Sequence, residues 1–266
     1  MKLNPILQLL KENREVARPK ALFHRVDAKD DKPAEVTLYL YDFIVNSSIE
    51  AEYWGGCAAQ DIVPEIRKLG NEDLAVRINS PGGDVFAGQA ICQAIRDHKG
   101  KSTAYVDGDA ASIASVIAVA CDEVVIAAGG MMMIHNSSTI VWGDRNDMLD
   151  MAAVLEKVDG TIAAAYAAKT GKKAEEFGPM MDKTTWFTGQ EAVDIGLADR
   201  VAESVKAESK WNLSAYANAP ADRKQPAKPA PKGDTPQNNA PQPEYASQER
   251  RDRLQQRARI ALTCAP

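Results

Sequence analysis

The chain has 266 residues, 45% apolar and 26% charged, which suits a globular protein with one or two sizeable cores. A net charge of −5 with a pI near 5.4 excludes a basic nucleic-acid footprint. Four scattered cysteines (Cys57, Cys92, Cys121, Cys264) without a CxxC pair exclude a disulfide frame or a cysteine zinc site, and no apolar run reaches the roughly 18 residues of a membrane span. The expectation is a cytoplasmic protein with neither a membrane nor a nucleic-acid partner.

The opening stretch, MKLNPILQLLKENREVARPK, carries a short apolar patch broken by Asn4 and Pro5 and then charge, not the apolar centre of a signal peptide. Residues 1–34 read as an amphipathic N-terminal arm. Glu35 to Val45 is β-branched and aromatic, a first strand. Ala58 to Leu69 has helical spacing (Ile62, Ile66, Leu69), with Pro64 in its first turns. Leu74 to Asn79 is a second strand running into the turn Ser80-Pro81-Gly82-Gly83-Asp84, and Val85 to His98 a helix with one buried face. Lys101 to Val106 is a third strand ending at Asp107-Gly108, followed by a small-residue helix from Ala111 to Ala120 and two short β-rich runs, Val124 to Ala127 and Met131 to His135. Asn146 to Lys169 carries a long apolar stripe (Met148, Met151, Leu155, Val158, Ile162, Ala165), and Gly171 stops it. A short helix at Lys173 to Met181, an extended Trp186-Phe187 and a helix from Thr188 with a Thr188/Glu191 capping box close the patterned region, before a last edge at Ala198 to Val201.

This alternation implies an α/β fold with largely parallel strands. Past about Asn212 the composition shifts, and seven of the 14 prolines fall between Pro220 and Pro243. Residues 212–266 therefore read as a disordered, Pro-rich C-terminal tail, whose last stretch, SQERRDRLQQRARIALTCAP, has the charge pattern of a short helix.

Two residues stand where nucleophilic chemistry is usually laid out, each at the end of an element: Ser112 at a strand-to-helix junction and His135, one of three histidines, at the polar end of MMMIH. Position alone leaves both readings open. Ser112 fits an N-cap as well as a nucleophile, and His135 fits a satisfied core histidine as well as a general base. Ser115 reads as helix packing, and His24 and His98 sit in polar surroundings. The Pro-Gly-Gly turn serves equally as a tight connection or as a place where a backbone N–H meets an oxyanion. It is no phosphate loop, since the chain contains no GxxxxGK[ST]. An acid to orient His135 is found in Asp182; Asp144 and Asp147, at the start of the long helix, read as caps.

Four blocks in this order and spacing, Ile78 to Gly83 (INSPGG), Gly108 to Ala114 (GDAASIA), Met132 to His135 (MMIH) and Phe187 to Asp199 (FTGQEAVDIGLAD), resemble the proteolytic subunit of Clp protease. The resemblance runs from about Val36 to Val201, so residues 35–211 are expected to form a ClpP-like serine peptidase domain. It implies the ClpP/crotonase-like fold of repeated β-β-α units, with Ser112 as nucleophile, His135 as base, and the N–H groups of Gly83 and Ile113 as oxyanion hole. It implies no cofactor and no metal, and a homo-oligomeric ring with the long helix as its handle. At the place of the family's catalytic aspartate this chain has Thr184. Asp182, two residues earlier, is the candidate third member, and a Ser–His dyad is the alternative. The unmatched N-terminal arm and the added tail resemble phage and prophage head maturation proteases, which act on capsid, scaffold or portal proteins. The competing readings are a housekeeping Clp subunit working with an ATPase partner, an acyl-CoA hydratase or isomerase on the crotonase version of the fold, and an inactive assembly protein.

Overall fold

The computed structural model describes Asn13 and residues 22–26, 35–203 and 211–224. Most of the N-terminal arm, and in the tail residues 225–266 with Cys264 and the expected terminal helix, lie outside the described residues. The chain divides into two units, Met1–Ala230 and Pro231–Pro266, and all the described residues belong to the first.

Its frame is an eight-stranded sheet. Strands β1 (Phe23–Val26), β2 (Glu35–Leu40), β5 (Asp73–Ser80), β6 (Ser102–Ala111), β7 (Glu123–Ala127) and β10 (Arg200–Ala202) lie side by side in that order. Within this row only β1 runs antiparallel to its neighbour; β2, β5, β6, β7 and β10 are parallel, which needs a crossover connection between successive strands. In the central strands alternate apolar residues are buried (Leu74, Val76 and Ile78 in β5; Ala104 and Val106 in β6), while Arg77, Tyr105 and Asp107 on the other face are only half-buried. A short parallel pair, β3 (Ile44–Val45) and β4 (Cys57–Ala58), frames helix α1 (Ser48–Trp54). The first expected strand is thus divided, β2 ending at Leu40 and β3 starting at Ile44.

Helices α2 (Ala59–Lys68), α3 (Val85–Arg96) and α4 (Ile113–Val119) pack the core. Gly88 in α3 lets α4 approach so closely that a Cβ there would sit 2.1 Å from Ile113 Cγ1. Every residue of α4 is buried, which its run of small and β-branched side chains allows. The long helix α5 (Arg145–Thr170) buries only Ile162, Ala163 and Tyr166; its first half leaves Met148, Leu149 and Val154 exposed on the single chain. Helices α6 (Ala174–Asp182) and α7 (Gly189–Ile195) complete the layer.

Strand β6 is longer than its apolar run suggests. It pairs with β7 through Thr103–Val106, then runs on so that Asp109–Ala111 pair with β8 (Met131–Ile134), itself antiparallel to β9 (Thr185–Thr188). The register against β5 shifts between Ile78 and Ser80, where β6 contributes extra residues. Asp107 holds this irregularity, accepting Arg77 Nε at 2.9 Å and the Tyr41 hydroxyl at 2.5 Å. A Cβ on Gly108 would lie 2.6 Å from Asn79 Oδ1, so the strand passes there only with glycine. The bend delivers the end of β6 to the β8–β9 branch of the same sheet, and Ser112 stands at that junction.

The boundary near Asn212 is corrected by the structure. Residues 212–224, assigned by composition to the tail, lie against the body together with Trp211. Trp211, Leu213 and Tyr216 form a buried cluster with Phe43, Ala111 and Met133. Arg223, in a 3-10 turn at Ala221–Arg223, pairs with the fully buried Asp109 at 3.0 Å. Apolar and charged anchors outweigh the linker-like composition around them.

Candidate active site

Ser112 occupies the N-cap position of α4 but does not cap it: its side chain makes no bond to the helix backbone. Its backbone is held at φ 56, ψ −130, a conformation rare for any residue with a Cβ. Three bonds hold it there. Ser112 N donates to Met133 O at 2.9 Å, while its own carbonyl accepts Ser115 N at 3.0 Å and Ser115 Oγ at 2.6 Å. Ser115 also meets the Tyr166 hydroxyl at 2.8 Å, the packing role read from sequence. The constrained turn lifts Ser112 Oγ off the helix and aims it at His135 Nε2, 2.7 Å away.

His135 follows β8 directly. The pairings Met133↔Ala111 and Ile134↔Thr185 set the end of that strand beside the end of β6, which brings residues far apart in sequence into hydrogen-bond range. Burial disfavours the imidazolium and pushes the His135 pKa down to about 4. At neutral pH the ring is therefore a neutral acceptor beside a hydroxyl, as a general base must be.

The turn after β5 is shaped by contacts only glycine permits. A Cβ on Gly82 (φ 96) would lie 2.6 Å from Ser112 Cβ, and one on Gly83 (φ 152) would lie 2.0 Å from Ile44 O. Ile44 N donates to Gly82 O at 2.9 Å and Asp84 N to Ile44 O at 2.8 Å. In such a parallel bridge the intervening Gly83 turns its own N–H to the opposite side. Ile113 is the first residue of α4, where an N–H has no partner within the helix. Beside Gly83 opens a groove of about 570 Å³ walled by Val45, Trp54, Val85, Phe86, Ile140 and Val154.

Asp182 is not brought onto the imidazole. Its Oδ1 accepts Asn136 Nδ2 at 2.8 Å, one residue beyond His135. Thr184, at φ 52, closes the end of α6 with its N–H on Met181 O at 3.0 Å. Among the described residues no carboxylate is hydrogen-bonded to His135, and burial is the cause of its lowered pKa. The remaining candidates are structural. His98 Nε2 meets Glu72 O at 2.8 Å, His24 lies exposed on β1, and Asp144 and Asp147 form the capping box of α5. Cys57, Cys92 and Cys121 are buried thiols, with Cys92 pushed up to about 12 by burial. Among the described residues no group of three or more His, Cys, Asp or Glu side chains is placed to hold a metal, and no helix is long and apolar enough to cross a membrane.

The neighbour that sequence reasoning missed is Tyr216. Its ring meets the His135 ring edge-on, centroids 5.0 Å apart at 65°, and its hydroxyl donates to Pro81 O at 2.7 Å. The aromatic and apolar residues of WNLSAY, set in an otherwise polar and Pro-rich stretch, were the available signal.

Residues 56–205, more than half of the chain, match the Clp protease family. The chain belongs to the Clp protease family. Over 142 residues it is 31% identical to the ATP-dependent Clp protease proteolytic subunit 3 of Rhodococcus jostii, covering 50% of this chain and 66% of that protein. Over 146 residues it is 28% identical to the proteolytic subunit of Chlorella vulgaris, covering 54% of this chain and 71% of the relative. The chain thus spans about two thirds of the length of these relatives. A ClpP1 mutant from Listeria monocytogenes shares the fold, with a TM-score of 0.54 and 22% identity over 63% of this chain and 91% of that one. The family's homologues are serine peptidases, and the ClpP-like fold expected from the four blocks is the one observed.

Proposed function

We propose that this chain is a serine endopeptidase working through an acyl-enzyme, with Ser112 as nucleophile and His135 as base. The observation that carries it is the 2.7 Å bond between the hydroxyl of a conformationally constrained serine and a neutral imidazole. His135 Nε2 takes the Ser112 proton as Oγ attacks the peptide carbonyl. The oxyanion is received by the N–H groups of Gly83 and Ile113, each contributing about 3 kcal/mol of barrier reduction. His135 then protonates the leaving amine, and water, deprotonated by the same imidazole, releases the acyl group. An extended peptide fits the apolar groove beside Gly83. Asp182 acts only through Asn136, so the pair works as a dyad. Members of the family form homo-oligomeric rings with ATPase partners, and the exposed Met148, Leu149 and Val154 on α5 supply an apolar face for self-association.

The finer role we infer is head maturation, the processing of capsid-assembly proteins, in a phage or prophage. Supporting it are the long regions on both sides of the family-matched residues 56–205 and the engagement of the segment 211–224 with the catalytic pair. A housekeeping subunit differs in depending on an ATPase for protein substrates. A fluorophosphonate probe followed by intact mass tests the chemistry: the parent chain gains one adduct and Ser112→Ala gains none. A folded parent that never labels overturns the peptidase reading. Cleavage of an unfolded protein substrate without added ATPase then supports the maturation role, and strict dependence on an ATPase returns the chain to the housekeeping class.

A further inference from the structure

We propose that Tyr216, on the segment 211–224, is the positioning residue that holds the His135 imidazole against Ser112 where other serine peptidases use a carboxylate. The inference rests on the Ser112–His135 reading above. A base must be fixed in orientation as well as in place, and a hydrogen-bonded acid normally does this at the far ring nitrogen. Here the nearest candidate acid, Asp182, is engaged with Asn136. What meets the imidazole instead is the edge-to-face ring of Tyr216. Such pairs are directional, preferring a defined tilt and separation, so the ring fixes orientation as a bond would.

Tyr216 is itself fixed. Its hydroxyl is held by Pro81 O, in the same turn that carries Gly83, so one side chain spans the base and the oxyanion turn. The segment around it is tied to the body at both ends. Trp211 Nε1 donates to Asn79 O at 2.9 Å, and Arg223 reaches Asp109, three residues before Ser112, and Gly129 O at 2.8 Å. Between them Trp186 Nε1 donates to Ala217 O at 3.1 Å and Asn218 Nδ2 to Lys183 O at 2.7 Å. These last two bonds lie on β9 and on the loop beside Thr184, the region from which the family's acid would come. The segment thus packs where the missing group would have been.

An obstructing strap would look different. The Ser112–His135 bond is intact beneath the segment. No residue of 211–224 lines the groove beside Gly83, which stays open to a substrate. The Tyr216 ring packs on the imidazole and its hydroxyl also faces the Ser112 side chain, and the exclusion of water there agrees with the depressed basicity of the histidine. The titratable groups that meet His135 are Ser112, from the β6–α4 junction, and Tyr216, from the segment; Asp182, from α6, bonds the adjacent Asn136, and Trp186, from β9, packs on Tyr216.

The test measures the second-order rate of fluorophosphonate labelling of the full chain against pH. It compares the parent, Tyr216→Phe, Tyr216→Leu and Tyr216→Met, each checked for folding by its melting transition. Phe keeps the ring and loses the hydroxyl, with its bond to Pro81 and its approach to the Ser112 side chain. Its rate should stay within about threefold of the parent, with the same acid midpoint. Leu or Met removes the ring edge and admits water. Labelling at neutral pH should fall about tenfold, and the acid midpoint should rise by about one pH unit or more toward the ordinary histidine value. A folded Leu or Met variant with unchanged rate and midpoint overturns the positioning role. So does a variant that labels faster, which makes Tyr216 a cover. A parent that never labels is a separate failure, which removes the peptidase reading and the positioning role with it.

Discussion

The ion pair between Arg223 and Asp109 is the contact whose loss should be felt most widely. The Asp109 side chain is fully buried and that of Arg223 is 7% exposed. Arg223→Met keeps an apolar stem of similar length but removes the guanidinium that meets the buried Asp109 carboxylate. Removing one partner of such a pair costs about 3–5 kcal/mol, against about 0–1 kcal/mol for an exposed pair. At roughly 2–4 °C per kcal/mol for a body of this size, the melting temperature should drop by about 6–20 °C. Thermal and urea unfolding of Arg223→Met, Asp109→Leu and the double variant form a mutant cycle. The double variant, with two apolar groups facing each other, should recover more than half of the loss. Because Asp109 lies in the last turn-in of β6 before Ser112, fluorophosphonate labelling should fall alongside stability in the single variants. A loss below about 1 kcal/mol for Arg223→Met would refute the reasoning, because the segment would then be resting on the body and not tied to it.

Gly88→Ala adds a methyl 2.1 Å from Ile113 Cγ1. In an exposed helix this change is stabilising, but overpacking here should cost about 1–3 kcal/mol and displace the Ile113 N–H, lowering both melting temperature and labelling rate. Asp182→Asn should change labelling less than about threefold, since the carboxylate bonds Asn136; a drop of about 100-fold or more would make Asp182 the third triad member after all. The low pKa of His135, about 4, should place the acid limb of the pH–rate profile well below that of an ordinary histidine. The same shift has a stability consequence. On falling pH the unfolded chain protonates this histidine near 6.5, while the native state resists until about 4, so unfolding free energy declines across that window. Urea melts from pH 7 to pH 4 should show a shallower decline for His135→Gln; equal slopes would place the acid sensitivity elsewhere.

Much of this molecule is legible without its structure, because the signals are local. Apolar alternation marks the central strands, the 3.6 period marks α3 and α5, and the Thr188/Glu191 box marks the start of α7. The junction carrying Ser112 and the strand end carrying His135 are visible for the same reason. Helix α1 was not, since SIEAEYW buries no residue and its start is made by the Ser47/Glu50 capping box within a short polar run. The far end of β6 was hidden too, because Asp107-Gly108-Asp109 reads as a turn and becomes strand only when β8 pairs with it.

The tertiary structure decided what depends on contacts distant in sequence. Whether Ser112 caps a helix or meets a base turns on φ 56 at one residue, imposed by a bond to Met133 on another strand. Whether Asp182 orients His135 turns on which neighbour it meets, and it meets Asn136. Residues 211–224 carry a linker's composition, yet Trp211, Tyr216 and Arg223 find partners more than 100 positions earlier, in Asn79, Pro81 and Asp109. Periodicity and propensity report the few residues on either side of a position. What packs against His135 is set by the fold, and here it is a tyrosine from beyond the last described strand.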